Sequence, residues 1–209
     1  IWGMLEKIAV NIMAGVAAVV KPSEYTSYLT ALMVEEIIKS KILPEGSLQL
    51  IPGLGRGLLD HVDHRDVVTF TGSAATGKTL KSHPNITENS VPFNLEADSL
   101  NACVLGEDAV LGTAEFDLFV KEVHREITVK TGQKCTAVRR ILVPDNLIDD
   151  VQNALIKRLQ KTTIGNPDNK DVRMGALATK IQVERVKENV EILMKSQDLV
   201  YGDQDNFEV

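Results

Sequence analysis

The 209-residue chain has little of several things that commonly reveal function. It contains two cysteines, Cys103 and Cys135, too few for a disulfide framework or a four-cysteine metal site. At least one thiol is therefore expected to be free, which fits a reducing cytoplasm. The four histidines, His61, His64, His83 and His124, are not spaced as metal ligands; all four read as surface residues, and no metal is expected. Aromatic residues make up 4% of the chain, too sparse for a platform on which bases could stack. Basic residues are outnumbered, 23 Lys and Arg against 29 Asp and Glu, for a net charge of -6. With no basic tract either, the charge argues against nucleic acid as a partner. No apolar run is long enough to span a bilayer, since residues 8–20 are too few and are broken by Asn11 and Gly15. The start of the chain lacks the basic residues of a secretory signal.

What remains is ordinary in bulk, 44% hydrophobic and 25% charged, and enough to build a sizeable core. The opening Ile1-Trp2-Gly3 has no polar lead-in, and residues 206–209 read as the middle of a loop. The sequence therefore reads as a piece of a longer protein.

Strand and helix patterns alternate. Short apolar runs at residues 16–21, 47–51, 67–71 and 91–96 read as strands, the first of them buried. Between them lie a helix beginning at a Ser23 cap and ending near Lys41, a short helix after Gly57, and a helix from Ser73 to about Ser82. This succession predicts an α/β fold with a parallel, Rossmann-like sheet. Beyond Glu96 the character shifts. Strands are predicted at 101–105 and 140–143, the second stopped by Pro144. Helices are predicted at 114–131, at 147–160 with a cap at Asp145 or Asn146, and at 179–195. A boundary near residues 96–98 divides the chain into part of one domain, 1–97, and part of a second α/β domain, 98–209.

Three features carry chemistry. Gly72-Ser73-Ala74-Ala75-Thr76-Gly77-Lys78-Thr79 matches the phosphate-loop pattern G-x-x-x-x-G-K-[ST] at every fixed position, after a strand and before a helix. It leaves open a nucleotide hydrolase in which Lys78 reaches the γ-phosphate and Thr79 holds magnesium. Against it, no later apolar strand ends in a metal-binding Asp. The plainer reading is a Gly- and Ser-rich strand-to-helix turn. Second, Cys135 stands in the polar setting Gly132-Gln133-Lys134-Cys135-Thr136, unlike Cys103, which lies in an apolar strand and reads as a core thiol. Third, Glu96 ends the apolar stretch Phe93-Asn94-Leu95-Glu96. By itself it reads equally as a general base or as a surface carboxylate.

Taken in order, Val20-Lys21-Pro22-Ser23-Glu24, Pro44-Glu45-Gly46, Phe70-Thr71-Gly72-Ser73-x-x-x-Gly77, Leu95-Glu96 and Gly132-Gln133-Lys134-Cys135 resemble the aldehyde dehydrogenase superfamily over nearly the whole chain. Each motif alone is weak; five in order are specific. The superfamily at large carries Gly-Gly where this chain has Asp98-Ser99. That departure is similar to a branch in which the dehydrogenase is fused to a hydratase-like domain and oxidises a coenzyme A-linked semialdehyde during phenylacetate degradation.

The resemblance implies a cofactor domain followed by a catalytic one. Cys135 would attack the aldehyde carbon, and Glu96 would activate the water that hydrolyses the thioester. Lys21 and Glu24 would hold the adenosine ribose of NAD or NADP, with Ser23 also in the cofactor-binding set, Gly53 and Gly57 in the loop near the adenine, and Gly72 and Ser73 at the pyrophosphate. A carboxylate at Glu24 favours a ribose 2'-hydroxyl over a 2'-phosphate, which points to NAD, whereas the branch is associated with NADP; both stay open. The substrate implied is a small aldehyde, possibly linked to coenzyme A, and the full-length protein a homo-oligomer. The family's oxyanion-hole Asn and its nicotinamide-ribose Glu would lie outside residues 1–209, so the piece alone is expected to have little activity.

Overall fold

The computed structural model describes residues 1–202, so the loop read from sequence at 206–209 lies outside the described residues. The chain divides into two compact units, one of Ile1–Asp98 and one beginning at Ser99.

Six strands form three parallel pairs among the described residues. In the first unit β1 (Ala18–Val20) pairs with β2 (Leu48–Leu50), and β3 (Val68–Gly72) with β4 (Phe93–Ala97). In the second, β5 (Ala102–Val104) pairs with β6 (Arg140–Leu142). Parallel pairing follows from the alternation, because a parallel neighbour can be reached only through a crossover segment. The sheet expected from the sequence is resolved into these separate two-stranded ladders. Strands β1, β2 and β6 are cut short for a local reason: Pro22, Pro52 and Pro144 follow them by two residues and have no N–H to extend a ladder.

The helices are α1 (Trp2–Met13), α2 (Ser27–Ser40), α3 (Ala74–Lys81), α4 (Pro84–Glu88), α5 (Ala114–Thr128), α6 (Ile148–Leu159) and α7 (Lys180–Leu193). None of the described helices is long and apolar enough to cross a membrane. The sequence reading did not anticipate α1. Its signal is the apolar stripe Met4, Ile8 and Ile12, joined by Leu5, which packs on Ala18, Val34 and Leu48. Helix α4 was also missed; Pro84 starts it, and His83 Nδ1 accepts from the Asn85 amide at 3.3 Å.

Three helix starts are capped by hydroxyls, Ser73 for α3, Thr113 for α5 and Thr179 for α7. The caps expected at Ser23 and at Asp145 or Asn146 are not made. A turn of 3-10 helix intervenes in each case, Glu24–Thr26 before α2 and Asp145–Leu147 before α6, so these side chains are not placed at the helix mouth. Helix α5 stops at Thr128 rather than 131, because Lys130 and Thr131 adopt left-handed backbone with φ of 54° and 56°.

Two of the histidines read as surface residues are instead half-buried and engaged. His83 Nε2 lies 3.2 Å from Asp60, and His124 Nε2 lies 2.8 Å from Thr162 Oγ1. His61 and His64 are exposed.

Each unit has its own core. In the first, Ile8, Ala18, Val34 and Leu48 bring α1 and α2 onto β1 and β2. In the second, Phe116, Phe119, Val120 and Val123 of α5 pack on Leu105, Leu147 and Val151, fixing α5 against α6 and β5. Phe116 is 1% exposed. Replacing it with Ala should lower stability by about 3–5 kcal/mol, through lost burial and the cavity left behind. Urea unfolding of the variant beside the parent checks this; an unchanged midpoint would show that the site collapses without loss.

Candidate active site

Cys135 is exposed, and it stands on a segment whose backbone is bent by three successive left-handed residues, Lys130, Thr131 and Gly132. Lys130 and Thr131 have side chains that disfavour this conformation, at a cost on the order of 1–2 kcal/mol each. Tertiary contacts offset that cost. The carbonyl of Cys135 accepts from Asn101 Nδ2 at 2.7 Å and also from Ser99 Oγ. Asn101 Nδ2 donates again to the Ala137 carbonyl at 3.0 Å. Its backbone carbonyl receives the amides of Arg139 and Arg140 at 2.8 and 3.0 Å. Asn101 thus spans both sides of the turn that carries the thiol.

Five further ties complete the frame. Lys134 Nζ pairs with Glu126 Oε1 of α5 at 2.7 Å, with both side chains largely buried. Arg139 donates to the carbonyls of Gly132 at 2.9 Å and Lys134 at 3.2 Å. Thr131 Oγ1 donates to the Gly175 carbonyl, and the Ala178 amide to Gln133 Oε1, each at 2.9 Å. The sequence reading singled out Cys135 and missed this frame. Ser99 and Asn101 are distant in sequence, Glu126 and Arg139 are near, and none of the four carries a spacing signal; only a polar Asn at the mouth of an apolar strand hints at a role.

Cys103 differs in kind. It is half-buried among the residues packed on the α5 core, and burial pushes its thiol pKa up.

The remaining sequence-predicted residues lie in the first unit. Glu96 is exposed on β4, beside Thr71 of β3, and its carboxylate is met by Lys7 Nζ of α1 at 2.6 Å. Lys7 belongs to a helix the sequence reading overlooked. Lys21 follows β1 and donates to the carbonyls of Pro22 at 2.8 Å and Gly53 at 2.9 Å, tying the end of one strand to the loop after the next. Its stem crosses Gly55, where a Cβ would come within 2.7 Å of Lys21 Cδ. Glu24 and Ser23 are exposed just beyond. Gly53 and Gly57 have φ of 104° and 78°, conformations that suit glycine. At Gly72 a Cβ would meet the Phe70 ring at 2.5 Å, so the bare backbone makes room for that ring.

Ser73 closes the mouth of α3. Its Oγ accepts the Thr76 amide at 3.2 Å and donates to Thr76 Oγ1 at 2.9 Å. The next amide, that of Ala74, donates to Asp98 Oδ2 at 3.1 Å. The positive end of α3 therefore holds a carboxylate, as expected for a place suited to anionic oxygens.

The same geometry overturns the phosphate-loop alternative. Such a loop wraps a phosphate before its helix begins, but here α3 starts at Ala74, so residues 74–76 are already helical. The Thr79 hydroxyl, which would hold magnesium, donates to the Ala75 carbonyl at 3.1 Å. Among the described residues no three His, Cys, Asp or Glu side chains are grouped to hold a metal ion.

Comparison with known proteins decides between the readings. A model of the aldehyde dehydrogenase family matches residues 2–208. The chain belongs to the aldehyde dehydrogenase family. It is 44% identical over 207 residues to a 3,4-dehydroadipyl-CoA semialdehyde dehydrogenase of Aromatoleum evansii, covering 99% of this chain and 40% of that protein. It is 31% identical over 192 residues to human aldehyde dehydrogenase 1A1, covering 90% and 37%. Among solved structures, betaine aldehyde dehydrogenase of Staphylococcus aureus in complex with NAD+ superposes with a TM-score of 0.79 at 30% identity, over 90% of this chain and 37% of that one. The chain thus spans about two fifths of the length of these family members, and its parallel α/β architecture is theirs.

The two thiols should separate chemically. With Cys135 exposed and Cys103 shielded, iodoacetamide at neutral pH should label Cys135 at least about tenfold faster in the folded protein. Peptide mass spectrometry over a time course reads both rates, and equal rates would contradict the placement.

Proposed function

We propose that the protein carrying this chain oxidises an aldehyde to the carboxylic acid with NAD or NADP, through a covalent intermediate on Cys135. The observation that carries the reading is the exposed thiol on a turn fixed from both sides by Asn101. The Cys135 thiolate adds to the aldehyde carbon and gives a thiohemiacetal. A bound nicotinamide dinucleotide would supply the hydride acceptor, and loss of hydride from the thiohemiacetal leaves a thioester on the sulfur. Glu96 then takes a proton from water, which attacks the thioester and releases acid and thiol. For this, Glu96 must exchange the ammonium of Lys7 for a water molecule.

The residues of the first unit fit such a dinucleotide. The Ser73-capped mouth of α3 already accepts the Asp98 carboxylate and so suits a pyrophosphate. Lys21 and Glu24, with Ser23 between them, would meet the adenosine ribose, and Gly53, Gly57 and Gly72 would let the backbone approach. On this reading residues 1–97 form part of a cofactor domain and residues 98–209 part of a catalytic domain.

A coenzyme A-linked semialdehyde, as in phenylacetate breakdown, is the proposed substrate, supported by the 44% identity to the Aromatoleum evansii enzyme and by Asp98-Ser99. We place the enzyme in the cytoplasm, where Cys103 and Cys135 stay reduced, and take it to work as a homo-oligomer.

In the full-length enzyme Cys135→Ser should lower turnover by on the order of 10^4-fold or more, and Glu96→Gln by about 10^2- to 10^4-fold. Steady-state formation of reduced cofactor measures both; near-parental rates in either variant would refute the assigned role. Glu24→Gln should raise the kcat/KM ratio of NADP over NAD by about tenfold, the equivalent of about 1.4 kcal/mol of removed repulsion. An unchanged ratio would remove Glu24 from cofactor choice.

A further inference from the structure

The second unit contains a cleft that none of the roles above uses. It measures about 500 Å³, the size of small-molecule sites, and lies between α5, α6 and the segment following α6. Its walls carry Lys157, Arg158, Lys161 and Arg173, against a single carboxylate, Asp117. That ratio reverses the chain's own balance of 23 basic to 29 acidic residues. Among the described residues none of the four cations is ion-paired, whereas Lys7, Lys39, Arg65, Arg125 and Lys134 are.

A solvated helix end explains only part of this. Lys157 and Arg158 sit in the last turn of α6, where the helix dipole favours cations. Lys161 and Arg173 lie outside any helix and still line the same cavity. Arg173 is brought there by its amide, which donates to Thr163 at 3.0 Å, and by the adjoining bridge between Ile164 and Met174. Two polar groups complete the lining, Thr162 and His124, joined at 2.8 Å. Burial and the positive charge of Arg158 hold His124 below its usual pKa, so the imidazole is biased to the neutral form, as expected in a positive field.

Four cations set against one carboxylate around one cavity repel each other, and a multivalent anion turns that repulsion into attraction. We propose that this cleft is a binding site for the phosphate groups of a small molecule with at least two negative charges. Guanidinium and ammonium groups in one lining suit tetrahedral phosphate oxygens, and the volume admits a diphosphate with part of a nucleoside. The chemistry has two sources, a free phosphate compound or the phosphates of coenzyme A. The site does not depend on the dehydrogenase reading, because none of its residues belongs to the proposed catalytic or dinucleotide-binding set.

The test is calorimetric titration of the full-length protein with inorganic pyrophosphate, with NAD+ present throughout to occupy any dinucleotide site. The expected result is saturable binding that weakens at least about tenfold in Lys161→Ala/Arg173→Ala, which removes two exposed cations. Asp117→Asn removes the one carboxylate and should tighten binding, a gain that damaged folding would not produce. Displacement of pyrophosphate by coenzyme A assigns the site to that carrier; saturable binding without displacement assigns it to a free phosphate compound. No binding at millimolar pyrophosphate, or binding indifferent to all three substitutions, would overturn the proposal.

Discussion

The hold of Asn101 on the turn around Cys135 is the interaction on which the rest of the site depends. A thiol on a free loop would sample many positions and be poorly placed for attack. Here the backbone leaves α5 through left-handed Lys130 and Thr131, a course that is locally unfavourable and persists only because it is tied down elsewhere. One amide nitrogen reaches the carbonyls of residues 135 and 137, and the same residue's backbone binds the amides of 139 and 140. The Lys134–Glu126 pair and the Arg139 guanidinium close the frame. The strain and the restraints fall on the same segment, residues 130–140, as expected where position matters more than local stability.

The first unit works through charge placed at chain ends. The capped mouth of α3 attracts oxygen anions, and the Asp98 carboxylate occupies its leading amide. A dinucleotide phosphate at this point would have to displace or sit beside that carboxylate. Asp98 is one of the two residues where the chain departs from the Gly-Gly of the wider superfamily, so the departure has a structural consequence: it puts a carboxylate on the leading amide of α3, where the proposed dinucleotide would place a phosphate. Lys21 acts oppositely, its ammonium donating to two carbonyls and joining the end of β1 to the Gly53 loop.

The α/β class and most elements were legible from period and punctuation. Apolar runs bounded by Pro and Gly mark β1 to β6 within a few residues, although burial alternates along the strands and leaves Val19, Val104 and Leu142 exposed. Helix starts were legible where a hydroxyl faces the first turn, as at Ser73, and misread where a 3-10 turn intervenes, as after Ser23 and Asp145. The stripe in α1 was present but was weighed only against a membrane span. Cys135 stood out by its polar neighbours. Its supports did not, because contacts such as Ser99 to 135 or Gln133 to 178 join residues 36 and 45 positions apart and follow from tertiary packing alone. The phosphate-loop pattern shows the converse: a perfect match in letters whose residues fold as a strand end, a cap and an ordinary helix.

The covalent state of Cys135 during turnover tests the account most directly. The full-length Glu96→Gln enzyme, mixed with aldehyde and oxidised cofactor and quenched in acid within seconds, should carry an acyl group on the peptide containing Cys135, with Cys103 unmodified. The adduct should match the mass of the substrate's acyl portion and appear with a stoichiometric burst of reduced cofactor. Substrate oxidised while the Cys135 peptide stays bare, or an adduct on another residue, would contradict the claim that this thiol carries the reaction.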